Sequence, residues 1–180
     1  MATEGQTPAA SEAPPPQIGA MGQFLKEHGI KVVAQPESTG VETFEVAGKD
    51  LVSALRLLRN SPEVKLDFLV AVSGVDSEKT FDSVYHLWSF ENLNELVVKV
   101  RIDKQEVGEG RLPEVASITT FWPAANWHER ETYDLMGIRY YGHPYLRRIL
   151  NPWDWQGHPL RRDYKQPVDA LNDKNPHSFR

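Results

Sequence analysis

The acidic residues best suited to acid–base chemistry lie in one short run, Glu129-Arg130-Glu131, followed by Asp134. The surrounding residues 123–137 are predicted to form a helix, because Pro123 suits a first helical turn and Gly137 suits the position just past a helix end. Residues two apart on a helix point to different faces, so Glu129 and Glu131 cannot act together as a paired acid and base. We therefore predict no catalytic residue here and a structural role for these charges.

One carboxylate of this run is predicted to be buried. With a period of 3.6 residues, one side of the helix carries Ala124, Trp127, Glu131 and Leu135. A buried carboxylate needs a charged or hydrogen-bonding partner, and the planar fork of an arginine fits it with two hydrogen bonds. We expect Glu131 to be bonded to Arg147, and Arg130 to pair with Asp134 on the helix surface.

Three histidines recur at equal intervals: His128, His143 and His158. Zinc motifs use closely spaced ligands, often with cysteine, and the chain has no cysteine. We predict no metal site, and we expect His143 and His158 to donate hydrogen bonds that hold the chain around them. The absence of cysteine also excludes a thiolate-bound iron–sulfur cluster, so no cofactor is expected in this chain. A stand-alone metal-dependent hydrolase built on the three histidines is a remote alternative.

A short motif occurs twice after the helix. Gly142-His143-Pro144-Tyr145-Leu146-Arg147-Arg148 returns, one residue shorter, as Gly157-His158-Pro159-Leu160-Arg161-Arg162. His-Pro disfavours helix at the histidine, and each proline fixes its own φ. We predict an extended, irregular tail from Tyr140 onward that presents Trp153 and Trp155 outward for another surface.

This run of residues resembles the 30-kDa subunit of respiratory complex I, the proton-pumping NADH:quinone oxidoreductase. The residues that carry the resemblance are Glu129, Arg130, Glu131, Asp134, Gly137, His143, Pro144, Arg147, Arg148, His158, Pro159, Arg161 and Arg162. The resemblance is long and without gaps, and it extends more weakly back to about residue 20. It implies that these residues form the family's interface.

The resemblance implies a non-redox structural subunit of the peripheral arm, in the quinone-reducing module. Its C-terminal tail would lie on a partner of the 49-kDa type, and flavin and iron–sulfur clusters would belong to partner subunits. Quinone would be the substrate of the complex, which is an electron-transport translocase. The protein would lie on the cytoplasmic side of a bacterial inner membrane, attached through the complex. The equivalent subunit of a membrane-bound hydrogenase, or of the photosynthetic ferredoxin-dependent relative of complex I, is the alternative.

Charge and hydropathy exclude other classes. The formal net charge is −5, and the basic side chains are concentrated after residue 125, so nucleic acid is a poor fit and an acidic protein partner suits the tail. No apolar run is long enough to cross a membrane. Residues 1–20 contain no Lys or Arg, which is unlike a mitochondrial transit peptide.

The remaining chain predicts one α+β domain. Proline-rich residues 1–17 are predicted to be disordered. Helices are predicted at 20–29 and from residue 51, and strands at 41–47, 66–75, 83–90 and 96–102, with a short strand or irregular segment at 115–121. The strands 83–90 and 96–102 should form an antiparallel hairpin. The nearly continuous apolar strand 66–75, which includes Val70, is expected to be covered on both faces. The result is a mostly antiparallel sheet with packed helices in a core domain, residues 18–139, and an extended tail, residues 140–180.

Overall fold

The computed structural model describes residues 17–35, 40–108 and 110–165. The predicted disorder of the N-terminus therefore lies outside the described residues, except for Gln17, as does the tail beyond Lys165. The helices are α1 (Ala20–Glu27), α2 (Leu51–Asn60), α3 (Lys104–Val107) and α4 (Ala125–Met136). The strands are β1 (Val32–Ala34), β2 (Glu42–Val46), β3 (Phe68–Asp76), β4 (Thr80–Trp88), β5 (Glu95–Asp103), β6 (Glu114–Ala116) and β7 (Arg139–Tyr141).

The main sheet has the strand order β1-β2-β5-β4-β3. Its neighbours are antiparallel except for β2 and β5, which are parallel. This confirms the predicted α+β class and the predicted β4–β5 hairpin. Strands β1 and β7 were not predicted, and neither was the parallel pairing of β6 with β7, because three residues are too few to show an alternating pattern.

One face of the main sheet carries the core. Phe44, Val72, Tyr85 and Val98 stand side by side in the register of four strands, and all are buried. The apolar stripe of α2 belongs to the same core cluster and is fully buried at Leu51, Ala54, Leu55 and Leu58. The opposite face is polar, since Arg101 bridges Glu45 at 3.1 Å and Asp82 at 3.4 Å. Antiparallel sheets with one solvated face follow this pattern.

Strand β3 is not covered on both faces, so this expectation was wrong. Phe68 and Val70 are 45% and 47% exposed, whereas Leu69 and Val72 are buried. The pairing with β4 shifts between Leu69 and Ala71, which inserts Val70 as a bulged residue outside the core. Because β3 is also the outermost strand, its apolar residues lie at an edge of the sheet and not in its centre.

Helix α4 lies close against β3. A Cβ atom on Gly74 would be 2.7 Å from a methyl carbon of Thr132, so only glycine allows this approach. The chain leaves α4 through Gly137, which has φ +69°, and enters β7, where Tyr140 is buried and bonded to the Ser83 hydroxyl at 2.9 Å. Tyr140 therefore belongs to the core domain. The predicted irregular segment begins at Gly142 rather than at Tyr140.

Candidate functional site

Helix α4 turns a different face to the core than the sequence pattern predicted. Glu131 is exposed and Trp127 is 64% exposed, so the predicted burial of Glu131 is wrong. Its expected partner Arg147 instead has its guanidinium 4.0 Å from the centre of the Tyr145 ring. The pattern took Trp127 as an anchor in the core, but the buried positions are small or polar, apart from a methionine: Ala125, Glu129, Arg130, Thr132, Asp134 and Met136.

Glu129 lies on the core side of α4, where it fastens the segment that follows β6. Its carboxyl group accepts a hydrogen bond from the Ser117 hydroxyl at 2.7 Å and one from the Ile118 N–H at 2.8 Å. Burial raises the pKa of Glu129 to about 7, against the two hydrogen bonds, which lower it. Its charge is thus held by neutral donors alone.

Asp134 is the second buried carboxylate of α4, and five donors converge on it. Its Oδ2 accepts the consecutive N–H groups of Ile149, Leu150 and Asn151 at 3.0, 2.8 and 2.9 Å. Its Oδ1 accepts the Arg148 guanidinium at 2.7 Å and the Asn151 side-chain amide at 2.8 Å. Burial alone would raise its pKa, but these bonds lower the pKa of Asp134 to about 2.

This arrangement corrects the predicted surface pair between Arg130 and Asp134. Asp134 is fully buried and its charged partner is Arg148, which comes from the segment after β7. The same guanidinium also donates to the Asp134 carbonyl at 3.0 Å and to the Gly157 carbonyl at 2.8 Å. Residues 142–165, called the strap below, contain no helix or strand and are tied to α4 through this carboxylate.

The second copy of the repeated motif closes the C-terminal end of α4. The last carbonyl groups of a helix lack partners within the helix, and here the strap supplies them. The donors are the Nδ1–H of His158 to Asp134 at 3.0 Å, the N–H of Leu160 to Leu135 at 3.0 Å and the Arg161 Nε–H to Met136 at 2.7 Å. A Cβ on Gly137 would be 2.5 Å from the His158 ring, so the strap fits only over glycine.

The first copy of the motif lies along the N-terminal half of α4. His143 donates from Nε2 to the Asn126 carbonyl at 3.2 Å, and its Nδ1 accepts the Tyr145 N–H at 2.9 Å. These two bonds require the neutral ring, in agreement with burial lowering the pKa of His143. Both predicted histidine hydrogen bonds are therefore confirmed, and each joins the strap to a carbonyl of α4.

The other predicted residues are distributed along the strap. Arg161 stacks on Phe81 at 4.8 Å, and the Arg162 N–H donates to Asp76 at 2.8 Å, so the strap continues past α4 to the end of β3. Pro144 and Pro159 each follow a histidine that bonds to α4. Trp153 is 82% exposed, as predicted for an outward-facing tail residue, whereas Trp155 is half-buried.

Sequence reasoning missed two polar residues that complete these contacts. Asn151 gives Asp134 both a backbone and a side-chain hydrogen bond. Ser117 bonds to Glu129 across a sequence separation that no local pattern covers. Asn151 precedes a proline, which suggested a turn, but nothing in the sequence identified the carboxylate that the turn would surround.

In the part of the chain that the structure describes, no three His, Asp or Glu side chains come together as ligands for a metal ion. None of the described helices is both long enough and apolar enough to cross a membrane. The chemistry visible around α4 is hydrogen bonding and ion pairing between a helix and a strap.

Comparison with known proteins places this helix–strap unit in a family. Residues 44–169 match the family described as "Respiratory-chain NADH dehydrogenase, 30 Kd subunit". The chain is 43% identical over 135 residues to an NADH-quinone oxidoreductase subunit of Roseiflexus sp. (strain RS-1), which covers 73% of this chain and 74% of that protein. It is 44% identical over 126 residues to the NADH-quinone oxidoreductase subunit of the same kind from Moorella thermoacetica, covering 67% of this chain and 81% of that one.

A solved structure shares the fold. A chain of the membrane-bound sulfane sulfur reductase (MBS), an archaeal respiratory membrane complex, superposes with a TM-score of 0.62 at 21% identity, over 82% of this chain and 85% of that chain. The fold and the strapped helix thus define a small α+β protein of a kind found in respiratory complexes. This chain belongs to the family of the 30-kDa subunit of respiratory-chain NADH dehydrogenase.

Proposed function

We propose that this protein is a non-redox core subunit of the peripheral arm of NADH:quinone oxidoreductase, and that it acts by fixing neighbouring subunits in place. Its membership in the 30-kDa family supports this role. The sequence has no cysteine, so it cannot bind an iron–sulfur cluster through thiolates. Flavin and iron–sulfur clusters then belong to other subunits, and the oxidoreductase and translocase activities are properties of the whole complex.

The observation that carries the proposal is the outer face of the strap. Tyr145, Leu150, Trp153 and Leu160 are all more than half exposed. They are nevertheless held on a backbone that Asp134 and the end of α4 fix from below. Large apolar side chains that are exposed on an ordered segment mark a protein interaction surface. An ordered segment also loses less conformational entropy when it binds than a free tail would.

We propose that the strap docks on a quinone-module subunit of the 49-kDa type. The domain before residue 125 has an excess of acidic residues, whereas the strap carries arginines at both copies of its repeated motif. An acidic, partly apolar groove would therefore receive the strap and reject the body of the domain. The protein would be bound to the cytoplasmic side of the inner membrane through the complex.

The experiment is an affinity purification of the tagged full chain from detergent-solubilised membranes. We expect the wild-type chain to recover the other peripheral-arm subunits together with NADH:quinone reductase activity. Trp153→Ala combined with Leu150→Ala should reduce this recovery about tenfold or more, because aromatic anchors dominate interface energies. Phe90→Ala is the matched control, since Phe90 is 63% exposed on the β4–β5 hairpin, away from the strap. Recovery of the wild-type chain alone would overturn the proposal.

A further inference from the structure

Arg130 carries a charge that no carboxylate among residues 17–35, 40–108 and 110–165 neutralises. Its side chain is only 9% exposed, and its Nε–H donates to the Arg147 carbonyl at 3.2 Å. Its two terminal nitrogens make no hydrogen bond within the described chain, yet neither is sealed away from the surface. A nearly buried cation without a counter-ion is unfavourable, because burial removes its hydration.

Aromatic rings hold this guanidinium in place. It lies 4.9 Å from the centre of the Trp127 ring and 5.8 Å from that of Tyr145. The guanidinium of Arg147 lies over the same Tyr145 ring at 4.0 Å. We call Trp127, Arg130, Tyr145 and Arg147 the arginine patch. Its two rings are 64% and 52% exposed, so the patch opens to the outside where α4 meets the strap.

The acidic groups nearest in sequence do not neutralise the patch. Glu129 turns inward to Ser117 and Ile118, and Asp134 is bonded to Arg148. Glu131 is exposed and makes no ion pair within the described residues. The uncompensated charge also affects His143, whose pKa is lowered first by burial and, against its bond to Asn126, further by the charge of Arg130.

We propose that Arg130 receives a carboxylate side chain of the partner subunit, which enters between Trp127 and Tyr145. This inference rests on the proposed function and adds the chemistry of one contact. The planar fork of arginine fits a carboxylate with two parallel hydrogen bonds, and here the rings and the Arg147 carbonyl already orient it. Tryptophan, tyrosine and arginine are also the residues that most often dominate interface energies.

A protein carboxylate suits the patch better than an anionic membrane surface. Recognition of anionic lipids is typical of clusters of about four to eight Lys and Arg residues, whereas the patch has two arginines between aromatic rings. A single carboxylate would neutralise Arg130, and the exposed rings would exclude water from the pair. The free chain would then hold the cation ready, so that the ion pair forms only on assembly.

The test begins with a photo-reactive phenylalanine analogue in place of Trp127 in the tagged full chain. After irradiation of the assembled complex, mass spectrometry identifies the cross-linked peptide. We expect a peptide of another subunit that contains an Asp or Glu near the cross-link. Arg130→Gln and neutralisation of that acid should each reduce recovery of the complex about tenfold, the fold-change of a contact worth about 1.4 kcal/mol. The two changes together should reduce it no further.

Controls separate this contact from a structural effect. Arg139→Gln removes an exposed arginine on β7 and should leave recovery unchanged. Arg130→Glu together with acid→Arg in the partner should restore recovery, which a loss of folding would not allow. If Arg130→Gln does not fold, as seen by circular dichroism, the cross-link still decides. A cross-linked peptide without an acid, or a cross-link to lipid, would overturn the inference.

Failure of this inference differs from failure of the proposed function. If the wild-type chain recovers no other subunit, the proposed function is wrong and the inference falls with it. If the wild-type chain recovers the complex and a folded Arg130→Gln variant recovers it equally well, only the carboxylate contact is wrong.

Discussion

Glu129 and Asp134 lie on the same helix and both are completely buried, yet their environments shift their acidities in opposite directions. Burial raises the pKa of Glu129 to about 7. Burial also opposes the charge on Asp134, but hydrogen bonds from Asn151, Arg148 and Leu150 lower its pKa to about 2. Loss of water alone therefore does not decide whether a buried carboxyl group is charged. The number and charge of the donors around it decide this.

The two carboxylates also connect different parts of the molecule. Glu129 bonds to Ser117 and Ile118 inside the core domain. Asp134 bonds to residues 148–151 of the strap. The weakly stabilised carboxylate thus belongs to the fold, and the strongly stabilised one holds the surface that we assign to assembly. The predictions below test this difference.

The largest effect is expected from Asp134→Ala. Removal of the carboxylate leaves Arg148 and three backbone N–H groups without their acceptor, and loss of one member of a buried pair costs about 3–5 kcal/mol. The free energy of unfolding, measured with urea, should fall by that amount. Glu131→Ala is the control, because Glu131 is exposed and should change stability by less than about 0.5 kcal/mol. Equal losses in the two variants would contradict the role of Asp134.

The second prediction concerns pH. The pKa of Glu129 is raised in the folded state, so its contribution to stability is present below its ordinary value of 4.5 and is lost as pH rises through about 7. One pKa unit corresponds to about 1.4 kcal/mol, so the loss is at most about 3 kcal/mol. Glu129→Gln cannot titrate, and its stability relative to wild type should rise between about pH 5 and pH 8.

Asp134 should behave oppositely in the same unfolding experiments. Its pKa is lowered from 3.8 to about 2, so its contribution is present above its ordinary value and is lost as the pH falls through about 2. The difference between Asp134→Asn and wild type should stay constant from about pH 5 to pH 8 and shrink only in acid. A pH-independent Glu129→Gln difference would show that Glu129 remains ionised throughout.

The third prediction compares the two glycines that flank β7. Gly137 has φ +69°, and a Cβ there would meet the His158 ring; Gly142 has φ +83°, with nothing within 4 Å. The left-handed backbone costs alanine about 1–2 kcal/mol at both positions. Gly137→Ala should cost about 1–3 kcal/mol more, because it also displaces the strap. Equal thermal unfolding midpoints for the two variants would contradict this contact.

The smallest effect is expected from removal of one neutral donor at each carboxylate. Ser117→Ala should cost about 1 kcal/mol and raise the pKa of Glu129 further, since one of its two donors is lost. Asn151→Ala removes one donor from Asp134 but leaves Arg148 and three N–H groups, so its pKa should remain below the ordinary range. Carbon-13 NMR titration of each carboxyl group measures both values.

The α+β class and the core helix α2 were evident from the sequence, because apolar periodicity reflects burial directly. Leu51, Ala54, Leu55 and Leu58 were predicted to face inward and are fully buried. Gly137 ends α4 in the left-handed conformation, as its position suggested. The His-Pro pairs likewise excluded helix from the strap, since proline restricts both itself and the residue before it.

The tertiary structure alone decided which carboxylate the strap would bind. Apolar periodicity assigned Glu131 to the core and Asp134 to the surface, and both assignments were wrong. Periodicity ranks positions by hydrophobicity, so it cannot show that a polar side chain is buried because distant donors surround it. The partners of Asp134 lie 14 to 17 residues further along the chain, and only folding of the strap over α4 brings them to the carboxylate. The sequence by itself supplied the helix and the arginines, and the three-dimensional packing determined how they pair.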